Sequence, residues 1–263
     1  MATNHFALHT PSDFPQSLMG KGVVVGGFPV RFAQTAKDID QVLALRRDRF
    51  SVTAPGQSDQ DRFDSLCAHL MVCCPGGTQV LATARLRLLQ DGAEFAETYT
   101  GQFYDMAALS RRYSRALELG RLCQAAHAQN MADALRALLA AVTLVSVQTR
   151  ADLLFGCTSF RGQDVQAHNA ALTWLRARHI GPVDLRPQRM HPRAVDFPDG
   201  DPDPEALRQT LPALLRMYLG MGGWVSDHAI RDPELDTLHV FTAVATATIP
   251  PARLRALHAL CPA

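Results

Sequence analysis

The chain has 263 residues, 47% of them hydrophobic, and a formal net charge of +1. That length is enough to bury a large core in one elaborated domain, and the near-neutral balance gives no bulk attraction toward a nucleic-acid polymer. Lys21 and Lys37 are the only lysines among 26 basic residues, and neither lies near the motifs below, which argues against Schiff-base chemistry.

In chain order, "MATNHFALHTPSDFPQ" lacks a basic segment followed by an apolar one, so no signal peptide is expected. Residues 1–28 read as a mobile lead. "FPVRFAQT" reads as a strand, and Thr35 with Asp38 forms a capping-box-like start to the helix "AKDIDQVLALRRDRF", whose stripe is Ile39, Val42, Leu43 and Leu45. A polar loop, "SVTAPGQSDQDRFD", leads to "HLMVCC" and, across the turn "PGG", to "TQVLATARLRLL", a pattern that predicts an antiparallel hairpin.

"ALELGRLCQ" (116–124) predicts a buried strand, followed by "AAHAQN" and a helix from about Met131 to Gln148, with Leu135, Leu138, Leu139, Val142 and Val145 at helical spacing. "LRALLAAVTLVSV" inside it is the longest apolar run and falls short of the roughly 20 residues of a bilayer span; the expectation is a cytosolic protein. "ADLLFGCTSF" predicts another buried strand, and residues 163–180 a helix. A proline-interrupted stretch follows, basic at Arg176, Arg178, Arg186, Arg189 and Arg193, then acidic in "DFPDGDPDPE", where the prolines and the ligand spacing do not suit a calcium loop. "ALRQTLPALLRMYLGMGG" is helical material, "TLHVFTAVAT" a closing strand, and 246–263 a tail.

Six cysteines, Cys67, Cys73, Cys74, Cys123, Cys157 and Cys261, sit mostly in apolar runs without paired CxxC spacing, which points to reduced core thiols rather than zinc or disulfides. HxH and HExxH spacings are absent, so no metal is assigned. His69, in "CAHLMV", reads as a satisfied core histidine.

Glu118 and Arg121 interrupt the 116–124 strand. Three residues apart, they point to opposite faces of a regular strand, and a bulge is needed to bring them to one side; Gly120, between them, is where it forms most easily. A buried ion pair without chemistry is the alternative. Arg46 near a helix end, Asp59, Asp61 and Asp64 in "DQDRFD", and Arg85 in "LATARL" are further charges in apolar or ordered settings.

Together these stretches resemble the bacterial ornithine-lipid-forming acyltransferases, which move a 3-hydroxyacyl chain from acyl carrier protein to the α-amino group of ornithine. The resemblance covers roughly residues 30–245 through "LRRDRF", "DQDRFDSLCAHLMV", "LATARLRLL", "LELGRLC", "LFGCTSF", "LPALLRMYLGMGGWVSDHAIRD" and "TLHVF", in the family's order. It implies a GNAT-like α+β fold related to autoinducer synthases: a central mixed, largely antiparallel sheet flanked by helices, in a single domain over 29–245 with a helical and loop elaboration at 163–225.

It also implies no bound cofactor, the acyl-phosphopantetheine of acyl carrier protein as donor, and an amino-acid acceptor. The corresponding residues are Arg46, Asp61, Asp64, Arg85, Glu118 and Arg121. Amide formation from a thioester needs a neutral amine, a route for its proton and donors facing the carbonyl oxygen. Glu118 is the candidate base, with Arg121 holding it or meeting an acidic partner. Gly120 and Leu122 belong to the strand that receives the donor arm.

An arginine, Arg46 or Arg85, suits the acceptor's carboxylate, and Asp61 or Asp64 its side-chain ammonium; a network that only orders the loop is the other reading of the same four residues. Arg176–Arg193 is either a dock for an acidic carrier protein or a patch for anionic lipid at the inner membrane face.

The sequence departs from the family pattern in several places. Leu122, Cys123 and Gln124 run into "AAHAQN", Ala68 precedes His69 where an acid is usual, and His228 stands where glycine is usual. These departures leave a different amine, homoserine-lactone-type signal synthesis, or a non-catalytic carrier- or lipid-binding homologue as alternatives.

Overall fold

A computed structural model of the chain describes residues 12–50, 59–126, 131–201 and 204–260. In chain order the elements are β1 (Val23–Val25), β2 (Phe28–Phe32), α1 (Ala36–Phe50), β3 (Ala68–Cys73), β4 (Val80–Leu89), β5 (Tyr104–Asp105), α2 (Ala107–Arg112), β6 (Ala116–Gln124), α3 (Met131–Thr149) and β7 (Leu153–Arg161). They continue with α4 (Asn169–Arg178), β8 (Gln188–Arg189), β9 (Ala194–Asp196), α5 (Pro204–Thr210), α6 (Ala213–Gly220), β10 (Trp224–Asp232), β11 (Thr237–Ala245) and α7 (Pro251–His258). Short 3-10 turns join several of them.

The chain divides into two compact units. The first takes residues up to Leu88, Leu119–Ala151 and the end from Pro251; the second takes Leu89–Glu118 and Asp152–Pro250. Strand β6 changes unit between Glu118 and Leu119.

In the first unit the strand order is β1-β2-β3-β4-β6, with β1–β2, β2–β3 and β3–β4 antiparallel. The hairpin β3–β4 forms where expected because both strands are mostly apolar and buried along their whole length and Pro75–Gly76–Gly77 supplies the turn, Gly76 and Gly77 having positive φ. Helix α1 starts on a reciprocal capping box. The Asp38 amide donates to Thr35 Oγ1 (3.2 Å) and the Thr35 amide to Asp38 Oδ2 (3.0 Å), while Arg31 pairs with the same carboxylate.

Ile39, Val42 and Leu45 of α1 pack with Met71, Cys73, Val80 and Cys123. Among the described residues α3 is the one helix apolar and long enough to cross a membrane, yet it lies against β1, β2, β3 and α7, with most of its apolar window buried, as a core helix does.

The lead expected to be mobile contributes structure from residue 12 onward. Phe14 and Leu18 are buried, Phe14 stacks on Phe32 with ring centroids 5.2 Å apart, and β1 pairs with β2. Burial of two large apolar side chains, worth about 1.5–3 kcal/mol each, is what orders this segment. The tail likewise forms α7, packed on α3.

In the second unit the first residues of β6 pair in parallel with β7, and β7–β11, β11–β10 and β10–β9 are antiparallel. The parallel pairing runs from Ala116↔Leu153 to Glu118↔Phe155. Phe95, Tyr104, Leu109, Phe155 and Phe241 cover one face, and Phe160, Leu172, Leu175, Leu215 and Val240 the other. The helix expected over 163–180 begins later, at Asn169, after a 3-10 turn over Gln166–His168. Strand β10 was not expected. "WVSDHAIRD" has polar residues in its middle, and a register shift between Val225 and Ala229 breaks the alternation that marks a strand.

Candidate active site

Six charged side chains of the first unit form one network. Arg46, on the last turns of α1, is fully buried. Its Nε donates to Asp59 Oδ2 (2.5 Å), Nη1 to Asp64 Oδ1 (2.7 Å), and Nη2 to Asp64 Oδ2 (3.2 Å) and to the Asp59 carbonyl (2.9 Å). This is the bidentate fork geometry that makes arginine the residue for such a place. Arg85, on β4, donates from Nη1 to Asp61 Oδ1 (2.5 Å) and Asp64 Oδ1 (2.9 Å). Arg121, on β6, reaches Asp61 Oδ2 through Nη2 (3.1 Å) and Asp59 Oδ1 through Nε (3.2 Å). Three guanidiniums face three carboxylates.

The electrostatics follow from that closure. Burial pushes the Asp64 carboxyl up, and the Arg46 and Arg85 guanidiniums reverse this and hold it well below the usual carboxylate range. Burial disfavours the charged form of Arg85, and Asp61 and Asp64 more than offset that, so its guanidinium stays protonated. His69 is pushed down to about 4, by burial first and by Arg46 and Arg85 against the pull of Asp64, and its Nε2 lies 3.2 Å from the Asp64 carbonyl. It is a neutral core histidine, as expected. Cys123 is pushed up to about 12 by burial, which leaves it a thiol, not a nucleophile. The five described cysteines are all free.

Arg121 adopts φ of +49°. The irregularity expected at Gly120 therefore sits one residue later, on a side chain that pays for a left-handed backbone with its two carboxylate contacts. At Gly120 a Cβ would lie 3.6 Å from Arg85 Nε, an ordinary van der Waals contact, so this position packs over the Arg85 guanidinium. Leu122 is half-buried.

Glu118 belongs to the second unit and is buried. Its Oε1 accepts two hydrogen bonds from one residue, the Thr100 amide (2.8 Å) and the Thr100 hydroxyl (2.7 Å). Cys157 on β7 is 3.8 Å from Thr100 Oγ1 and donates to it. Neither of these bonds engages Oε2. A carboxylate with one oxygen fixed by two donors can accept a proton on the other in a defined direction.

Of the residues singled out from the sequence, Arg46, Asp61, Asp64, Arg85 and Arg121 thus converge in one cluster with Gly120 against it, while Glu118 is held by Thr100. Arg121 meets the acidic partners Asp59 and Asp61. Asp59 was visible in its motif but not ranked with the others. Thr100 gave no signal, since it lies in irregular turns between Gly92 and Gln102.

A family model described as an acetyltransferase (GNAT) domain matches residues 45–138, which contain this cluster and Glu118. With the mixed sheet and its flanking helices, this match gives the chain a GNAT-type fold and an acyltransferase activity. The chain is similar to L-ornithine N(alpha)-acyltransferases: that of Rhodobacter capsulatus is 28% identical over 80% of this chain and 88% of its own length, and that of Brucella abortus 28% identical over 82% and 84%. Among solved structures, FeeM, an N-acyl amino acid synthase from uncultured soil microbes, aligns at 10% identity over 84% of this chain and 92% of its own, with a TM-score of 0.48.

Proposed function

We propose that the protein transfers a 3-hydroxyacyl group from the phosphopantetheine of acyl carrier protein to the α-amine of ornithine, giving lyso-ornithine lipid. The observation that carries this is Glu118, fixed through Oε1 by Thr100 with Oε2 outside both bonds, in a chain similar over four-fifths of its length to L-ornithine N(alpha)-acyltransferases.

The amino acid arrives as an ammonium ion. Glu118 Oε2 takes a proton from it, directly or through a water; the freed nitrogen attacks the thioester carbonyl carbon, and the C–N bond forms as the C–S bond breaks. The second nitrogen proton leaves with the thiolate as the carrier's thiol. No covalent enzyme intermediate is needed, because holding both reactants in line is worth roughly 7–11 kcal/mol when alignment is good.

We assign Gly120 and Leu122 to the strand on the donor's side of the reaction, where backbone N–H groups can meet the carbonyl oxygen as it becomes negative. Arg46, Arg85 and Asp64 are sealed and mutually paired, which suits them to positioning β6 around Arg121. Asp61, with 23% of its side chain exposed, is the member able to meet the acceptor's side-chain ammonium.

The test is incubation of purified protein with 3-hydroxyacyl carrier protein and a panel of amines, with products identified by mass spectrometry. An N-acyl ornithine is expected, suppressed at least a hundredfold by Glu118→Gln without loss of fold. An unchanged thioester across the whole panel refutes the transfer, and an acylated product on another amine refutes ornithine.

A further inference from the structure

The second unit contains a cavity of about 320 Å³ lined by Arg176, Ile180, Arg186, Arg189, Asp196 and Asp227. None of these residues takes part in the clusters above. Its walls are held by backbone contacts: Ile180 bridges to Val225, Arg186 N bonds to the Pro182 carbonyl, and Arg189 pairs with Tyr104.

The arginines are loosely engaged. Arg176 pairs with Asp199 and Arg189 with Asp196, both exposed ion pairs of the kind that contribute little, and Arg176 Nη1 also donates to the Phe197 carbonyl (2.9 Å). Arg186 Nε is 3.4 Å from Asp227 Oδ2, and it is enclosed with no hydrogen-bond partner. Asp227 is meanwhile bonded at 2.8 Å to Nδ1 of the buried His228. The Arg186 guanidinium therefore has a charge partner in Asp227 but no aligned hydrogen bond at Nε, and it lines a pocket that two further guanidinium forks also line.

Two of the exposed large apolar side chains, Val183 at 73% and Met190 at 54%, flank Arg186 and Arg189 along the chain. Arg178 and Arg193 are exposed as well.

From these observations we propose that this cavity is a phosphate-ester site that takes the head group of an anionic phospholipid, with Val183 and Met190 entering the bilayer interface. The tetrahedral phosphate accepts from the Arg186 and Arg189 guanidinium forks, and Asp227 stays with His228. A basic cluster beside exposed apolar side chains is complementary to a surface that is anionic outside and apolar just beneath. The inference rests on the proposed acyl transfer for its purpose, since an amphiphilic product belongs in a membrane.

The test is co-sedimentation of the full chain with phosphatidylcholine vesicles with and without 30 mol% phosphatidylglycerol. Binding to the anionic vesicles alone is expected. Arg186→Gln with Arg189→Gln weakens it about thirtyfold, at about fivefold per arginine, and Val183→Ser with Met190→Ser several-fold; the second pair is exposed and leaves the fold intact.

Equal binding to both vesicle types, or no binding, overturns the proposal. So does an equal loss on Arg178→Gln with Arg193→Gln, which indicates diffuse charge rather than the cavity. Binding of soluble glycerol phosphate that depends on Arg186, without vesicle binding, also overturns it, as does a raised KM for acyl carrier protein in the Arg186/Arg189 variant with vesicle binding unchanged, which assigns the surface to the donor. Acyl transfer measured on the same preparations without vesicles separates the two ideas: vesicle binding without transfer leaves the lipid site standing and the enzymatic reading fallen.

Discussion

Replacing Arg46 by methionine removes a charge from the interior while nearly keeping its volume, so little of the effect comes from a cavity. Four hydrogen bonds disappear: one to each of the Asp59 carboxylate and carbonyl, and two to Asp64. Three carboxylates then face two guanidiniums.

Removing one partner of a buried pair costs about 3–5 kcal/mol. Here Asp64 keeps Arg85 at 2.9 Å and Asp59 keeps Arg121 at 3.2 Å, which places the expected loss near the lower end, about 3 kcal/mol. Urea unfolding followed by circular dichroism measures it, and the melting temperature falls by about 6–12 °C. Asp64→Asn in the Arg46→Met background restores neutrality, so the double variant is less destabilised than the sum of the singles by at least about 1 kcal/mol. A single-variant loss under about 1 kcal/mol, or strict additivity, refutes the claim that this network supports the fold.

Stability also depends on pH through His69 and His239, held by burial at about 4 and about 3. The unfolded imidazoles take up protons below about 6.5 and the folded ones do not, so the stabilisation is complete above that pH and is lost as pH falls toward 4. The slope is about 1.4 kcal/mol per pH unit for each histidine, and His69→Gln should remove one share of it; an unchanged slope contradicts the assignment. At Arg121, with φ of +49°, glycine should be more stable than alanine by about 1 kcal/mol, the reverse of the usual strand ranking, as denaturant midpoints of the two variants will reveal. Gly120→Ala meets Arg85 only at ordinary van der Waals distance, so its denaturant midpoint should correspond to a change of less than about 1 kcal/mol; a larger loss contradicts the packing of Arg85 described above.

Much of the fold was legible because local pattern and final environment agree. The helix over 36–50, the β3–β4 hairpin, and the strands at 116–124 and 237–245 all appear where periodicity and turn residues put them. Polar residues hid β10, and two buried aromatic and aliphatic anchors, Phe14 and Leu18, ordered a segment whose composition suggested mobility.

The sequence alone determined which charges sit in an apolar setting, because Arg46, Asp64, Arg85 and Glu118 each interrupt or adjoin a hydrophobic run. Only the tertiary structure decided how they pair. Asp59, Asp61 and Asp64 lie within six residues of one another, yet their arginines come from α1, β4 and β6, and Glu118 is oriented by a threonine 18 residues away. Hydrogen bonds are short-ranged and directional, so partners brought together by strand register leave no trace in spacing along the chain.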